Sequence, residues 1–305
     1  MNAILIKTDS VEIDFIETRI KDLICVTKPY FALTNFQQLN DGILQAEVTV
    51  ENLSSGESTL ISGAEAGRHL AILGSCALAL ENPLDSKHYY LANKAVLKRA
   101  NKVKENTHTA TPQQIVLILQ AKVVSLQLDQ KFGSVEAKIL TQNGDLIFTL
   151  NVSYQVLKAD LFQKLFRRGY AEMPLTLQEN PYTQISNFND VQYQANILTA
   201  DIGRICPTKC IGHFDNYPAL PIAILCGSLA KLGAMHLKLM LNNDKIGYAL
   251  REVTMSASRL AFAGEMVYIE SNFICEKNGE YTYQVKALDE NKKDLGEIVT
   301  TMYLL

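Results

Sequence analysis

The sequence predicts an α+β fold made of two related halves, each an antiparallel β-sheet wrapped around one central helix. Three observations support this prediction. At 305 residues the chain is long enough for two domains of about 150 residues each. A motif recurs once along the chain, and each half places one apolar helix among alternating strands.

The repeat is visible in two separate stretches that share one offset. KPYFALTNF, at Lys28–Phe36, recurs as NPYTQISNF at Asn180–Phe188, with Pro, Tyr, Asn and Phe matched. The same offset aligns RHLAIL, at Arg68–Leu73, with LPIAIL at Leu220–Leu225. Because both matches fall in one register, the two halves are expected to share one fold.

The first half reads as an extended stretch, then a helix, then several strands. ILQAEVTVE at Ile43–Glu51 alternates apolar and polar residues, and a helical run follows from about Ala66 to Glu81. Alternation after the helix is typical of an antiparallel sheet with one wet face. The segments concerned are YYLANKAVLK, QQIVLILQAKVVSLQL, GSVEAKIL and LIFTLNVSYQVL.

The second half repeats this order. An extended stretch, YQANILTADIGRI, precedes a helix from about Ala219 to Leu241, and the strands KIGYALREVTMSAS, EMVYIESNFICE, YTYQVKALDE and IVTTMYLL follow. Each half thus has about five strands. Both helices are apolar on nearly all sides, as in CALAL and LGAMHLKLML, so each should be wrapped by protein.

The predicted units are residues 1–157 and 180–305, joined by a linker at 158–179. The linker has helical spacing at Leu161, Phe162, Leu165 and Phe166, and Pro174 is expected to stop that helix. A short linker helix followed by a loop is the expected connection.

Composition and charge bound the function. The chain is 48% hydrophobic and 20% charged, with a formal net charge of −3, which is ordinary for a globular protein and gives no general attraction to nucleic acid or anionic membranes. The N-terminus lacks the pattern of a secretory signal, and the longest apolar run, Ala219–Ala230, is too short to span a bilayer. Six scattered cysteines fit a reducing compartment. We expect a cytoplasmic protein that binds neither nucleic acid nor membrane.

One motif indicates a candidate active site. GHFDNYPALPIAIL, at Gly212–Leu225, resembles the active-site motif of the β-hydroxyacyl-(acyl carrier protein) dehydratases, in which a Gly-His-Phe run and two prolines lead into the central helix of a hotdog fold. With the repeat, the resemblance implies a tandem double hotdog of the thioesterase and thiol ester dehydrase superfamily. The halves would pair, their sheets would join, and a pocket would lie between one half's helix and the other half's loop.

The resemblance also implies a substrate and roles for several residues. The substrate would be a 3-hydroxyacyl thioester of acyl carrier protein or coenzyme A, with no cofactor, and two such chains could assemble as a homodimer. His213 would be the base that acts on the carbon next to the thioester carbonyl. Phe214 and Pro221 would border the substrate. Ile222 stands where the family has a glycine whose backbone N–H polarises the carbonyl.

The acid of the dehydratase family is missing from this sequence. It lies fourteen positions after the histidine, which corresponds to Gly227 here and to Ser75 in the other half, and Ile61 is the first-half counterpart of His213. Ser75 could hold a hydroxyl by hydrogen bonding but is a poor proton donor, and Gly227 could only border the substrate. Dehydration is therefore expected to be slowed or lost, unless another acid reaches His213.

Glu65 and His69 are the nearest alternatives. Four residues apart at the start of the first helix, they would share a face. Glu65 could activate water, as an acidic residue near this helix does in hotdog thioesterases. It could instead complement the helix dipole while Arg68 and His69 are solvated or cap the helix. Three functions stay open: a dehydratase-like enzyme, a thioesterase using Glu65, and a non-catalytic acyl-binding protein in which His213 is a turn residue.

The remaining histidines and cysteines suggest no second site. Cys206 and Cys210 precede His213, but zinc usually takes four ligands and no second cluster accompanies them, so no metal is expected. His236 lies in the apolar second helix and should belong to the core. His88 and His108 are in polar segments and should be exposed.

Overall fold

The computed structural model describes residues 9–51, 57, 59–100, 115–129, 131–173, 180–183 and 187–305, with side chains from residue 15. The first half opens with a helix that the sequence did not suggest, and a 3₁₀ turn separates its first two strands. Its elements are α1 (Asp9–Leu23), β1 (Thr34–Leu39), β2 (Ile43–Thr49), α2 (Gly63–Glu81), β3 (His88–Arg99), β4 (Val116–Gln127), β5 (Phe132–Leu140) and β6 (Leu146–Lys158).

The second half begins with the linker helix and then repeats this order. Its elements are α3 (Ala159–Leu165) in the linker, then β7 (Asn189–Gln194), β8 (Ile197–Arg204), α4 (Ile222–Met240), β9 (Tyr248–Ala257), β10 (Met266–Lys277), β11 (Glu280–Leu288) and β12 (Asp294–Leu304). Each half therefore contributes six strands to the described structure rather than about five. The extra strands are the edge strands β1 and β7, whose sequences TNFQQL and NDVQYQ lack apolar alternation.

The two predicted sheets are one continuous antiparallel sheet. Its strand order is β1-β2-β4-β5-β6-β3-β9-β12-β11-β10-β8-β7, which reads as the same order from either end. β3 and β9 form the seam, with Val96 opposite Thr254 and Leu97 opposite Val253. In separate halves, β3 and β9 would each be an open edge strand. Their pairing removes both open edges.

The two central helices lie against this sheet and contact each other. α2 begins at Gly63, earlier than predicted, because the hydroxyl of Ser62 caps it by accepting a hydrogen bond from the Glu65 N–H at 3.2 Å. α4 begins only after Pro221. α4 is long and apolar enough to cross a membrane by length and composition alone, but here it packs on β8, β10, β11 and β12 as a core helix.

The linker is a packed part of the structure. Phe162 of α3 is fully buried, and its ring stacks on Tyr89 at 3.6 Å between centroids. The helix ends at Leu165 and a 3₁₀ turn, Arg167–Gly169, follows; Pro174, the predicted stop, lies outside the described residues. Phe162 belongs to a third apolar cluster, separate from the two main cores, which joins the linker to the segment around Phe214.

Candidate functional site

The loop before α4 presents His213 and is docked on the other half. His213 forms an isolated antiparallel bridge with Val26, and the Phe214 N–H donates to the Cys25 carbonyl at 3.0 Å. Gly212 has a φ of +80°, and a Cβ there would lie 2.4 Å from the Thr27 carbonyl oxygen. Only glycine fits this position, since the backbone is left-handed and a neighbouring chain passes against it.

Hydrogen bonding fixes the proton on one nitrogen of His213. Its Nδ1 lies 2.9 Å from the carbonyl oxygen of Ala219. A carbonyl only accepts, so Nδ1 carries the hydrogen and Nε2 keeps its lone pair. Burial lowers the pKa of His213 to about 4, partly offset by that hydrogen bond, which favours protonation. The imidazole is therefore neutral at pH 7 and offers Nε2 as a proton acceptor.

Two aromatic rings hold the imidazole in place. Phe214 stacks on it with 3.7 Å between ring centroids, and Tyr30 from the first half meets it edge-on at 5.1 Å. Tyr30 itself is buried, and desolvation raises the pKa of its hydroxyl. It therefore stays a neutral phenol at physiological pH.

His213 and Ser75 line one cavity, although they belong to opposite halves. The cavity has a volume of about 290 Å³ and also touches the start of α4 at Ile222 and Ala223. The Ser75 hydroxyl donates to the Ile72 carbonyl at 2.7 Å, so its oxygen lone pairs remain as acceptors. The first N–H groups of a helix have no intrahelical acceptor, so those of Ile222 and Ala223 are available at the cavity wall.

A smaller apolar cavity of about 70 Å³ adjoins the first and lies between α2 and α4. Ala71, Ala92, Ile222 and Ala223 line both cavities. Leu97, Leu150, Leu250, Val253 and Met255 close the smaller one against the sheet seam. Small side chains on the two helices create this space, because larger ones would fill it.

None of the described residues that line the larger cavity is a carboxylic acid. Its charged member is Arg259, whose guanidinium donates to Glu265 at 2.7 Å and to Asp289 at 2.8 Å. These two carboxylates lie behind Arg259 and hold it at the cavity rim. Gly227 does not line the cavity; a Cβ there would meet Ala64 at 3.2 Å. Pro221, next to the cavity-lining Ile222, precedes the first residue of α4.

Glu65 and His69 lie in a different place, a buried ionic cluster outside both cavities. They share a face of α2, with His69 Nε2 3.5 Å from Glu65 Oε1. Glu65 Oε1 also accepts a 2.7 Å hydrogen bond from the backbone N–H of Glu51, whose carboxylate contacts the Arg68 guanidinium. Burial and the Arg68 charge lower the pKa of His69 well below its usual value, so His69 is neutral.

The same cluster is the place among the described residues where a cation would find ligands. Ligand atoms of Glu51, Glu65 and His69 lie within 4.8 Å of one another. The Arg68 guanidinium already contacts Glu51 and lies 3.0 Å from His69 Nε2, so a positive charge occupies this set of donors. Arg68 in turn sits between the rings of Tyr30 and Tyr182, at 5.8 and 5.6 Å.

Two further histidine predictions have different outcomes. His236 is fully buried, as predicted, and its Nδ1 lies 3.0 Å from the Ser271 hydroxyl. The prediction for His88 was wrong: it opens β3, is 1% exposed, and its Nδ1 lies 2.7 Å from the Ser86 carbonyl. Pairing of β3 with β6 buries it, which the polar local sequence did not indicate. His108 lies outside the described residues.

The sequence did not indicate a role for Tyr30 or Glu51, and the alternative in which Arg68 and His69 are solvated or cap the helix was wrong, because they are 2% and 0% exposed. The repeat contained a signal for Tyr30, since the Pro-Tyr pair recurs at Tyr182 and the two rings meet at 5.1 Å. Because a shared fold also explains the recurrence of the Pro-Tyr pair, the repeat did not single out Tyr30. Arg68 and Glu51 gave no local signal, because an arginine on an apolar helix and a carboxylate at a strand end reveal their pairing only in three dimensions.

Solved structures with the same architecture are known. A TesB protein of Mycobacterium avium subspecies paratuberculosis aligns with a TM-score of 0.58 at 8% identity, covering 96% of this chain and 99% of its own. A protein assigned as an oleoyl thioesterase from Lactobacillus plantarum has a TM-score of 0.55 at 12% identity, covering 86% and 96%.

A hotdog-fold protein of unknown function from Alicyclobacillus acidocaldarius has a TM-score of 0.53 at 10% identity, with 92% and 99% covered. No protein-family model and no curated protein matches the chain. Identities this low describe the fold alone. The chain has a double-hotdog fold.

Proposed function

We propose that this chain binds an acyl thioester in the cavity between its halves and interconverts 3-hydroxyacyl and enoyl thioesters, with His213 as the base. The observation that carries the proposal is the meeting of His213 and Ser75 in one cavity, with His213 neutral and its Nδ1 hydrogen held by Ala219. The adjoining apolar cavity gives the acyl chain a place. One structural neighbour is assigned as an oleoyl thioesterase, which supports a thioester as substrate.

In the proposed reaction, the C2–H bond breaks and its proton passes to Nε2 of His213. Negative charge collects on the thioester carbonyl oxygen, near the free N–H groups of Ile222 and Ala223 at the positive end of α4. The C2–C3 double bond then forms as the C3–O bond breaks. The imidazolium returns its proton to the departing hydroxide, which leaves as water.

The lowered pKa of His213 suits this double use. A histidine with a pKa of about 4 is a weaker base than an ordinary one, but its imidazolium is a stronger acid. It can therefore serve both steps in a cavity whose described residues include no carboxylic acid. Ser75 would accept a hydrogen bond from the 3-hydroxyl and orient it.

Thioester hydrolysis is the second candidate, favoured by the named neighbour. In the sequence-based form of this alternative, Glu65 activates water. Its carboxylate accepts a hydrogen bond from the Glu51 backbone N–H, and Glu65 is 7% exposed and is not among the residues that line either cavity. The geometry therefore favours the reaction that uses His213.

The test supplies the pure protein with 3-hydroxybutyryl and crotonyl thioesters of N-acetylcysteamine, coenzyme A and a carrier protein. Interconversion is followed at the enoyl absorbance and hydrolysis by free thiol. His213→Asn keeps an N–H for the Ala219 carbonyl but removes the base. We expect interconversion that falls at least 100-fold in this variant, within the range that general base catalysis contributes.

Three results would replace this proposal. Thiol release that survives His213→Asn and requires Glu65 would make the chain a thioesterase of the Glu65 type. Thiol release that requires His213 would make it a hydrolase that uses the same base on water. Binding without turnover on any carrier would make it an acyl-binding protein.

A further inference from the structure

We propose that the linker surface beside the cavity docks an acidic carrier protein, which delivers the acyl group on its phosphopantetheine arm. The surface is defined as Lys158–Tyr170 and consists of α3 and the 3₁₀ turn that follows it. This inference rests on the proposed function, because it names the carrier of the thioester.

Charge is the first observation. The segment KADLFQKLFRRGY carries four cationic residues and one acidic residue, in a chain whose formal net charge is −3. Arg167 and Arg168 are exposed, and neither forms an ion pair within the described parts of the chain. Arg259, the other arginine near the cavity, is neutralised by Glu265 and Asp289. Arg167 and Arg168 therefore supply positive charge that a partner can use, together with the exposed Lys158 and Lys164.

Position is the second observation. Phe166 lines the cavity that holds His213, and Arg167 follows it directly. A series of ring contacts connects Phe166 with His213: Phe166 to Phe162 at 4.7 Å, Phe162 to Phe214 at 5.5 Å, and Phe214 to His213 at 3.7 Å. Phe166 and Phe214 line the same cavity as His213, so a flexible arm that entered beside Phe166 would reach the base within that cavity.

Rigidity and apolar surface complete the case for a protein partner. Gly169 lies against the ring of Phe262, and the Ala171 N–H donates to the Asn216 carbonyl at 2.9 Å, so the turn is fixed on the His213 loop. Leu165 and Tyr170, 60% and 53% exposed, flank the arginines. Arginine and tyrosine beside an exposed leucine are a mixture suited to a protein interface.

The test compares the double variant Arg167→Glu/Arg168→Glu with a matched control, Lys122→Glu/Lys138→Glu, which makes the same charge change at exposed positions of β4 and β5. The substrate is one acyl group carried by an acidic acyl carrier protein, by coenzyme A or by N-acetylcysteamine. For the carrier-protein substrate we expect KM to rise at least tenfold in the linker variant, with kcat unchanged. The control and the N-acetylcysteamine reaction should keep their wild-type values.

Binding of the holo carrier protein, measured by titration at low and at 0.5 M salt, keeps the test independent of turnover. We expect affinity that weakens with salt and is lost in the linker variant, even if the chain processes no thioester. Leu165→Ser/Tyr170→Ser, which leaves the charges intact, should weaken the same binding. Equal binding of the carrier protein by the wild type and the linker variant would overturn the proposal. So would a KM increase confined to coenzyme A, which would assign the arginines to its phosphates.

Discussion

Ser75 of the first half and His213 of the second line the same cavity, and the Ser75 hydroxyl is anchored to the Ile72 carbonyl at 2.7 Å. The reverse pair, Ile61 and Gly227, offers neither a base nor a hydrogen-bonding side chain. The two halves are thus alike in fold and different in chemistry. One site for each chain is the consequence, and a stoichiometry near one tight ligand for each polypeptide is expected.

Acid should destabilise the protein partly through His213. Its folded pKa, about 4, lies below the ordinary value of 6.5, so the unfolded chain binds this proton first as pH falls. The contribution of the neutral His213 imidazole to the free energy of unfolding is complete above pH 6.5. It falls by roughly 3 kcal/mol between about pH 6.5 and 4. Urea unfolding at pH 7.5, 5.5 and 4.5 should show a shallower decline for His213→Asn than for the wild type. Parallel curves for the two proteins would show that His213 titrates normally.

Gly212→Ala should be far more harmful than an alanine at another left-handed glycine. The new Cβ would lie 2.4 Å from the Thr27 carbonyl oxygen, whereas Gly144, with a φ of +87°, has nothing within 4 Å. We expect Gly144→Ala to cost about 1 kcal/mol from backbone strain alone. Gly212→Ala should cost more than about 2 kcal/mol and reduce turnover by displacing His213. Equal melting temperatures for the two variants would contradict the tight docking of the loop.

The buried ionic cluster should matter for stability and not for chemistry. Glu51→Gln leaves Arg68 buried without its carboxylate partner and should cost about 3 kcal/mol. Glu65→Gln keeps that ion pair and an acceptor for the Glu51 N–H, so a change within about 1 kcal/mol is expected. In both variants kcat of the folded protein should stay within about threefold of wild type. A selective loss of thiol release in Glu65→Gln would instead identify Glu65 as a catalytic base.

The smaller cavity should limit acyl length. Ala230 lines this cavity and not the larger one, whereas Ala223 lines both. Ala230→Leu should lower kcat/KM for an octanoyl-length substrate at least tenfold and leave a butyryl-length substrate within about threefold, because a buried methylene contributes about 0.8 kcal/mol. Rates measured across a series of chain lengths would show this as a shortened optimum. Equal losses at all lengths would place the acyl chain elsewhere.

The sequence was sufficient for the architecture because the repeat and the strand alternation are local and periodic signals. The two central helices and the main strands follow from them, and the motif at Gly212–Leu225 located His213. The start of α2 moved to Gly63 because a single cap, Ser62, decides a helix end. The strands β1 and β7 escaped notice because each is only six residues long and contains two apolar residues, too few for a periodic signal.

The site was only partly predictable, for a physical reason. The meeting of Ser75 with His213 was predicted from the repeat together with the resemblance, which places the base of one half opposite the acid position of the other half. The ionic cluster around Arg68 joins α2 to Glu51 within the first half, whereas the Tyr30 contact on His213 joins the two halves. Both depend on which side chains face one another in the folded chain. His88 is likewise buried because β3 pairs with β6. The residues next to His88 in the sequence do not indicate this pairing.

The most direct test of His213 as the base is exchange at C2. A saturated butyryl thioester has no leaving group at C3, so incubation with the protein in D₂O isolates the proton-transfer step. We expect the wild-type protein to incorporate one deuterium at C2, detected by mass spectrometry, and His213→Asn to incorporate none. Thioester that is recovered without deuterium after prolonged contact with a properly folded, ligand-binding wild-type protein would contradict this expectation.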